Sequence, residues 1–305
     1  MTQHESTLEL LKLRYAGYTT QQLIRLFKFC PLFLRLSPSD KMTNLRQFTY
    51  TSKIRNPAAY LTRYSALSIS TILNNLDQHG VKYISIYDAA YPRLLKEIYD
   101  PPFILFYKGN IELLQHTHFL GVVGSRQSTA YTAHALSFLF SHISTSQLTI
   151  VSGLATGADS EAHLSALQNQ LPTIGVLAFG HAHHYPKSNL HLRNEIEEKG
   201  LTLSEYIPED EPRKFKFPER NRLISGLSQG VLVTESKERS GAQITIDLAL
   251  QQNRNVYVLP GSIFQELTKG NLKRAQEGAT IVLEIDDILA DYNCEIHCKW
   301  MSTFK

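Results

Sequence analysis

Between residues 119 and 283 the chain repeats one pattern: a short, largely apolar run, a loop of small residues, then a stretch with helical spacing. The runs are Leu120–Val123, Thr149–Ser152, Thr173–Ala178, Leu201–Ser204, Val231–Thr234, Val256–Leu259 and Thr280–Leu283. Strands that are apolar on both faces are buried on both, and helices between them supply the cover. The alternation predicts an α/β, Rossmann-like, doubly wound and mainly parallel sheet. Two earlier runs, Tyr83–Tyr87 and Phe103–Tyr107, flank "YPRLLKEIYDPP" and extend it. In such a sheet ligands bind at the carboxyl ends of the strands, so the loops there are where function is expected.

Residues 5–30 carry Leu8, Leu11, Leu13, Leu23, Ile24, Leu26 and Phe27 at helical spacing. Gly17 breaks the pattern, and Thr19 and Thr20 offer a new N-cap. Further helical spacing covers Ala58–Leu67 and Ile69–Leu76, and Gly80 ends it. The expected organisation is a small all-helical domain over 1–80, a connecting extension over 81–118, the Rossmann-like domain over 119–292 and a tail over 293–305. The helical module is basic: residues 1–80 hold ten Lys/Arg against four Asp/Glu, while the other 225 residues hold 21 against 24. The module's +6 and the remainder's −3 sum to the chain's +3.

Three cysteines, Cys30, Cys294 and Cys298, form no framework and point to a reducing compartment. Cys294 and Cys298 with His297 resemble a metal fragment but lack a second ligand pair at a useful spacing. The N-terminus has acidic residues and no signal-type apolar core, and no run approaches a membrane span of about 18 apolar residues. The expectation is a cytoplasmic protein without metal or membrane contact.

Six loops follow the strands. In "FLGVVGSRQSTAY" Gly124, Ser125 and Arg126 join a strand to a helix, a turn suited to an anion, with Arg126 as a charged fork. A dinucleotide loop would need G-x-G-x-x-G and an acid about 20 residues on; only Gly121 and Gly124 are present, and no Asp or Glu follows up to Thr149. A plain βα turn with a solvated arginine remains open. "SGLATGAD" has Gly153 and Gly157 for close backbone approach, Asp159 as a helix cap, and His163 in the following helix as either a base or a packed residue. "GHAHHYPKSN" holds His181, His183 and His184 without a nearby carboxylate or thiolate, so a histidine-rich loop is favoured over a metal site; Lys187 suits a phosphate. Glu235 and the small residues Gly241 to Thr245 open another helix, and Pro260-Gly261 ends the next strand.

"RKFKFPERNRLISG" is the most informative loop. Arg213, Lys214, Lys216, Arg220 and Arg222 face one acid, Glu219, and Phe215 and Phe217 alternate with the lysines. Extended, the stretch would put aromatics on one side and Lys214 and Lys216 on the other, with a helix starting at Pro218. Cations interleaved with aromatics suit a nucleic-acid backbone with unstacked bases. The plainer alternative is that the phenylalanines are core and the charges solvated.

The ordered set "YPRLLKEIYDPP", "VVGSR", "SGLATGAD" with Ala162-His163, "YPKSN", "FPERNRLISGL", "ESKERSGAQIT" and "VLPGS" resembles the DNA-processing protein A (DprA, or Smf) family over about residues 85–280. The N-terminal module resembles, more loosely, a sterile-alpha-motif-like domain. The resemblance implies a protein that binds single-stranded DNA without chemistry or cofactor. It implies protection of incoming DNA, loading of the RecA recombinase in natural transformation, and a homodimer. Carried over by motif, Arg126, Lys187, Lys214, Arg220, Asn221 and Arg222 would line a DNA pocket, with Phe215 and Lys216 in the same strip. Gly124, Ser125, Gly153 and Gly241 would shape the loops, and Ile263, Phe264 and Leu267 would lie at the dimer interface. Where the family usually has a Leu-Ile pair near its end, this chain has Arg274-Ala275. The alternative, a Rossmann-like nucleotide phosphoribohydrolase, needs P-G-G-x-G-T-x-x-E, and the nearest text is Pro260-Gly261-Ser262. An NAD-type dehydrogenase is disfavoured by the first loop.

Overall fold

The computed structural model describes residues 2–143 and 148–292, so the tail 293–305 with Cys294, His297 and Cys298 lies outside the described residues. The chain forms two compact units. The first takes residues 1–108, 179–183 and 203–212; the second takes the remainder.

Unit one begins with five helices: α1 (Gln3–Tyr15), α2 (Thr20–Phe29), α3 (Pro38–Thr51), α4 (Pro57–Ala66) and α5 (Ile69–Gln78). Four start on a side-chain cap. Thr2 and Thr19 form capping boxes with Glu5 and Gln22, Ser37 accepts from Asp40 N, and Ser68 accepts from Thr71 N. Each cap satisfies an otherwise orphaned amide. Gly17 takes φ +104° in the α1–α2 turn, which a side chain rarely permits. Sequence spacing missed α3, whose buried apolar residues are Leu45 and Phe48 with Met42 packed beside them; Ser37-Pro38 and Asp40 were its start signal. Leu13, Tyr18, Leu23, Leu26, Phe33, Leu45 and Phe48 share one core. The unit continues as β1 (Lys82–Ser85), α6 (Arg93–Lys96) and β2 (Ile104–Gly109), with β1 antiparallel to β2 and Tyr83 opposite Phe106.

Unit two alternates strand and helix: β3 (Phe119–Val123), α7 (Ala130–Phe140), β4 (Thr149–Ser152), α8 (Ala158–Gln168), β5 (Thr173–Leu177), α9 (Leu190–Lys199), β6 (Leu201–Ser204), α10 (Lys216–Leu227), β7 (Gly230–Val233), α11 (Gly241–Gln251), β8 (Asn255–Val258), α12 (Lys269–Gln276), β9 (Thr280–Ile281) and α13 (Asp286–Leu289). All seven runs read from the sequence are strands, within a few residues at their ends. Neighbouring strands run β5-β4-β3-β7-β8-β9, every pair parallel. Leu120, Val122, Ile150, Leu232 and Tyr257 are buried with Leu136, Leu139 and Ile288 in the main core.

That order has a functional consequence. From β3 the chain first adds β4 and β5 on one side, and later β7, β8 and β9 on the other. The direction reverses at β3, so crossovers leave in opposite senses and a crevice opens beyond the carboxyl ends of β3 and its neighbours. The loops ending β3, β4 and β7 meet there.

Candidate nucleic-acid interface

A cleft of about 720 Å³ occupies that crevice. Its floor comes from the β3–α7 loop, the start of α8, the start of α10 and the β7–α11 loop. Gly124, Ser125, Arg126, Lys214, Arg220, Asn221 and Gly241 line it, as do Gln127, Thr156, Asp159, Phe217, Lys237 and Ile244. Gly153, Lys187, Phe215, Lys216 and Arg222 do not.

The β3–α7 turn is built from behind. Ser125 N donates to the Glu235 carbonyl at 2.7 Å, Ala158 N donates to the Ser125 carbonyl at 3.0 Å, and Gln127 N donates to Ser125 Oγ at 3.0 Å. The buried Glu235 carboxylate accepts from Thr129 N, Thr129 Oγ1 and Thr132 Oγ1 at 2.7–2.9 Å. These bonds spend three of the turn's amides, those of Ser125, Gln127 and Thr129. What the turn offers a ligand is therefore mainly its shape and Arg126. That side chain is exposed, with its guanidinium carbon 5.3 Å from the Phe217 ring centroid. Tyr185 meets the same ring edge-on at 5.6 Å. A cation held on an aromatic face keeps its outer edge open to an anion.

The anion field is completed by helix ends. The helices α8, α10 and α11 all start at the cleft, and none has a side-chain cap. Their dipoles favour negative charge at the cleft, while the first amides of α8 and α10 are already spent on the Ser125 and Arg213 carbonyls. Exposed Lys214 and Lys237 add mobile cations.

Arg220 has a different position. It is 4% exposed, and Nη1 donates to the Gly153 and Val176 carbonyls at 2.5 Å each. Nη2 lies 3.8 Å from Asp159 Oδ2. A Cβ on Gly153 would run into this guanidinium, so the residue must be glycine for the arginine to reach the strand ends. Burial pushes the Asp159 carboxyl up, against the opposing pull of Arg220 and, further down, Arg126. Arg220 thus joins the ends of β4 and β5 to the cleft floor.

The extended reading of residues 213–217 is corrected here. Phe215 is the residue before α10, and the helix begins at Lys216, two residues before Pro218. Proline is tolerated in a first turn, where its missing amide has no partner to lose. Helical geometry breaks the alternation: Lys214 is exposed at the cleft, Lys216 is buried, and Phe217 turns toward Arg126. Phe215 is 57% exposed. Arg222, two residues beyond Arg220, lies on the opposite side of the helix and is buried. Lys187 is exposed in a short 3₁₀ turn.

Two asparagines were not singled out by sequence reasoning. Asn189, the last letter of "YPKSN", donates Nδ2 to the Leu154 and Ala155 carbonyls at 3.1 Å, fixing the loop before α8. Asn271, 1% exposed, donates to the carbonyls of Val233, Thr234 and Leu259 at 2.9–3.1 Å and accepts from Ser236 Oγ. It ties the ends of β7 and β8. Arg274 extends this network: it donates to Gln243 Oε1 at 2.7 Å and pairs with Asp247 and Glu277. The polar residue in place of the family's usual Leu-Ile is therefore anchored.

His163 is fully buried, with Nδ1 2.7 Å from Thr173 Oγ1, and does not line the cleft. Burial first, and Arg220 second, hold its imidazole down at about 3 instead of 6.5. A lowered folded value means the neutral form stabilises the fold above the unfolded value, and that contribution is lost as pH falls from about 6.5 toward 3. Lowering pH from 8 to 5 is expected to cost about 2 kcal/mol through this residue. Asp159, shifted up, acts in the opposite sense, so the comparison is with His163→Gln. Urea midpoints at both pH values should converge in the variant, and an equal pH dependence in both proteins would remove the assignment. In the histidine-rich loop His181 is buried, His184 is exposed, and His183 Nε2 lies 2.9 Å from the Glu209 carbonyl. Among the described residues no group of His, Cys, Asp and Glu is placed to hold a metal, and no helix is long and apolar enough to cross a membrane.

A doubly wound sheet whose switch-point crevice collects uncapped helix starts and exposed cations defines a Rossmann-like protein with a cleft suited to an anion. The sequence matches the profile of the DNA recombination-mediator protein A family over residues 82–293, and the chain belongs to that family. The DNA processing protein DprA of Streptococcus pneumoniae is 39% identical over 284 residues, covering 93% of this chain and 97% of the relative. The X-ray structure of DprA from Streptococcus pneumoniae superposes with a TM-score of 0.83 at 38% identity, over 94% of this chain and 98% of that one. DNA processing protein A from Helicobacter pylori, described for its single-stranded DNA binding mode, superposes with a TM-score of 0.62 at 27% identity, over 69% of this chain and 95% of that one.

Proposed function

We propose that this chain binds single-stranded DNA in the switch-point cleft and acts without catalysis or cofactor as a recombination mediator. In natural transformation it would protect incoming DNA and load the RecA recombinase, work done in the cytoplasm. The observation that carries the binding is the Arg126 guanidinium presented on Phe217 at the mouth of a cleft ringed by uncapped helix starts. Family membership and the single-stranded DNA binding mode described for the Helicobacter pylori relative support it. Lys214 and Asn221 line the same cleft, and Phe215, Tyr185 and Lys187 are exposed for a strand that continues past it. Lys216 and Arg222 are buried outside the cleft lining, and Arg220 is held at the ends of β4 and β5. Base stacking on an exposed ring is worth about 1–3 kcal/mol and tolerates any sequence. Little base preference is expected.

The test is a salt titration of oligonucleotide affinity with single- and double-stranded probes of equal length. Single strands should bind more tightly, and log affinity should fall with log salt at about 0.7 per phosphate neutralised. Equal affinity for both forms with no salt dependence would end the proposal.

We also propose a homodimer through the segment after Pro260-Gly261. Ile263 is 68% and Phe264 90% exposed, with Leu267 half-buried beside them. Apolar side chains so exposed suit a self-complementary two-fold patch. Ile263→Glu or Leu267→Glu is expected to shift the sedimentation mass toward one protomer. A one-protomer mass for the unaltered protein at micromolar concentration would refute the dimer.

A further inference from the structure

The positive charge of the N-terminal module sits in one part of it. Residues 20–56, covering α2, the following 3₁₀ turn, α3 and its exit loop, hold seven Lys/Arg and one Asp. Residues 1–19 hold two of each sign, and residues 57–80 one of each. The whole +6 therefore lies in 20–56. Lys41 is paired with Glu9 at 2.7 Å. Arg25, Lys28, Arg35, Arg46, Lys53 and Arg55 have no acidic partner among the described residues, and all six are exposed.

The same segment exposes large apolar side chains: Phe29 at 42%, Leu32 at 59% and Tyr50 at 57%. Phe29 and Tyr50 fall on the cationic stripes. Arg25, Lys28 and Phe29 share one face of α2, spaced three and four residues apart. Arg46, Tyr50 and Lys53 follow the same rule along α3 and past its end. The Phe29 ring rests 5.9 Å from the buried Phe48 of α3, so this stripe is anchored on the core. Two acids of unit one are engaged elsewhere: Glu205 is buried with Thr20 and Arg14, and Glu209 meets Asn75 on α5 and His79 just past its end.

Unpaired like charges repel and cost the free protein stability, which a polyanion would recover. Exposed rings beside them add a face for unstacked bases. We propose that the helical unit is a second single-stranded nucleic-acid surface, formed by the α2 and α3 stripes and independent of the switch-point cleft.

The test uses the full chain with Arg25, Lys28, Arg46 and Lys53 all changed to Gln, beside Arg126→Ala, which reports on the cleft alone. Probes are fluorescent oligo-dT strands of increasing length, with poly-glutamate as an acidic-polypeptide probe. Circular dichroism and melting confirm that each variant is folded. The quadruple variant should lose about tenfold or more in affinity for long strands, and its salt slope should become shallower by up to about 2.8 if each cation neutralises one phosphate. In a folded quadruple variant, unchanged affinity and slope at every strand length would overturn the proposal. Loss of poly-glutamate binding with unchanged DNA binding would also overturn it, in favour of an acidic protein partner. If Arg126→Ala is silent while the quadruple variant loses affinity, the cleft reading fails and the helical surface stands. A fold failure in the quadruple variant sends the same readout to the pairs Arg25→Gln with Lys28→Gln, and Arg46→Gln with Lys53→Gln; silence in both folded pairs is equally fatal.

Discussion

Arg220→Ala is expected to destabilise the α/β unit by about 3–5 kcal/mol, because it removes the cation beside the buried Asp159 carboxyl and the donor of two strand-end carbonyls. For a unit of this size that is a fall in melting temperature of about 6–20 °C. The reason is geometric. Arg220 is 4% exposed and reaches Gly153, Val176 and Asp159 at once. Arg220→Lys keeps a charge but not the fork that spans two carbonyls, and should recover only part of the loss. Thermal melts of the two variants against the unaltered protein decide it; a melting temperature within about 2 °C of the original for Arg220→Ala would show that the buried pair carries no structural weight. Any loss of DNA affinity in Arg220→Ala is to be read only beside its melt.

Arg126→Ala should behave in the opposite way. The side chain is exposed and has only the Phe217 ring beneath it, so stability should change by about 0.5 kcal/mol or less. Single-strand affinity should fall about tenfold or more, since one hydrogen bond to a charged group is worth roughly 1.5–3 kcal/mol. The log–log salt slope should become shallower by about 0.7, one phosphate contact fewer. Arg126→Lys should restore the slope but not the full affinity, because an ammonium cannot lie flat on the ring as a guanidinium does. An unchanged affinity and slope in a folded Arg126→Ala protein would reduce the turn to a structural element.

How much of this was legible in the sequence depends on whether a residue's role follows from its type or from its direction. The strands were legible because parallel strands buried on both faces read as apolar runs. The capped helices α1 and α2 were legible from Thr19 and the leucine spacing. The α3 helix was missed because leucine spacing is sparse there and its cap was passed over. In the cleft, Arg126 was found from charge and loop position, whereas only the family resemblance ranked Lys214 above Lys216. Direction was the harder part. Arg220 and Arg222 are the same residue type two positions apart, yet only a helix starting at Lys216 decides which one faces the strand ends. Lys187 stood out by charge in "YPKSN", while the residue that fixes the neighbouring loop is uncharged Asn189. Lys237 and Ile244 lie within a quoted motif, but nothing in their spacing says they turn toward Arg126's cleft.

The three bare helix starts at the cleft contrast with the side-chain caps on four of the five N-terminal helices. The field of a helix dipole cannot be deleted one residue at a time, since it is summed over the aligned peptide units of the whole helix. The share of a proposed phosphate affinity that rests on these dipoles would therefore survive substitution of the side chains around the cleft. An alanine scan would undercount the site for the same reason, because its floor belongs to no single letter of the sequence.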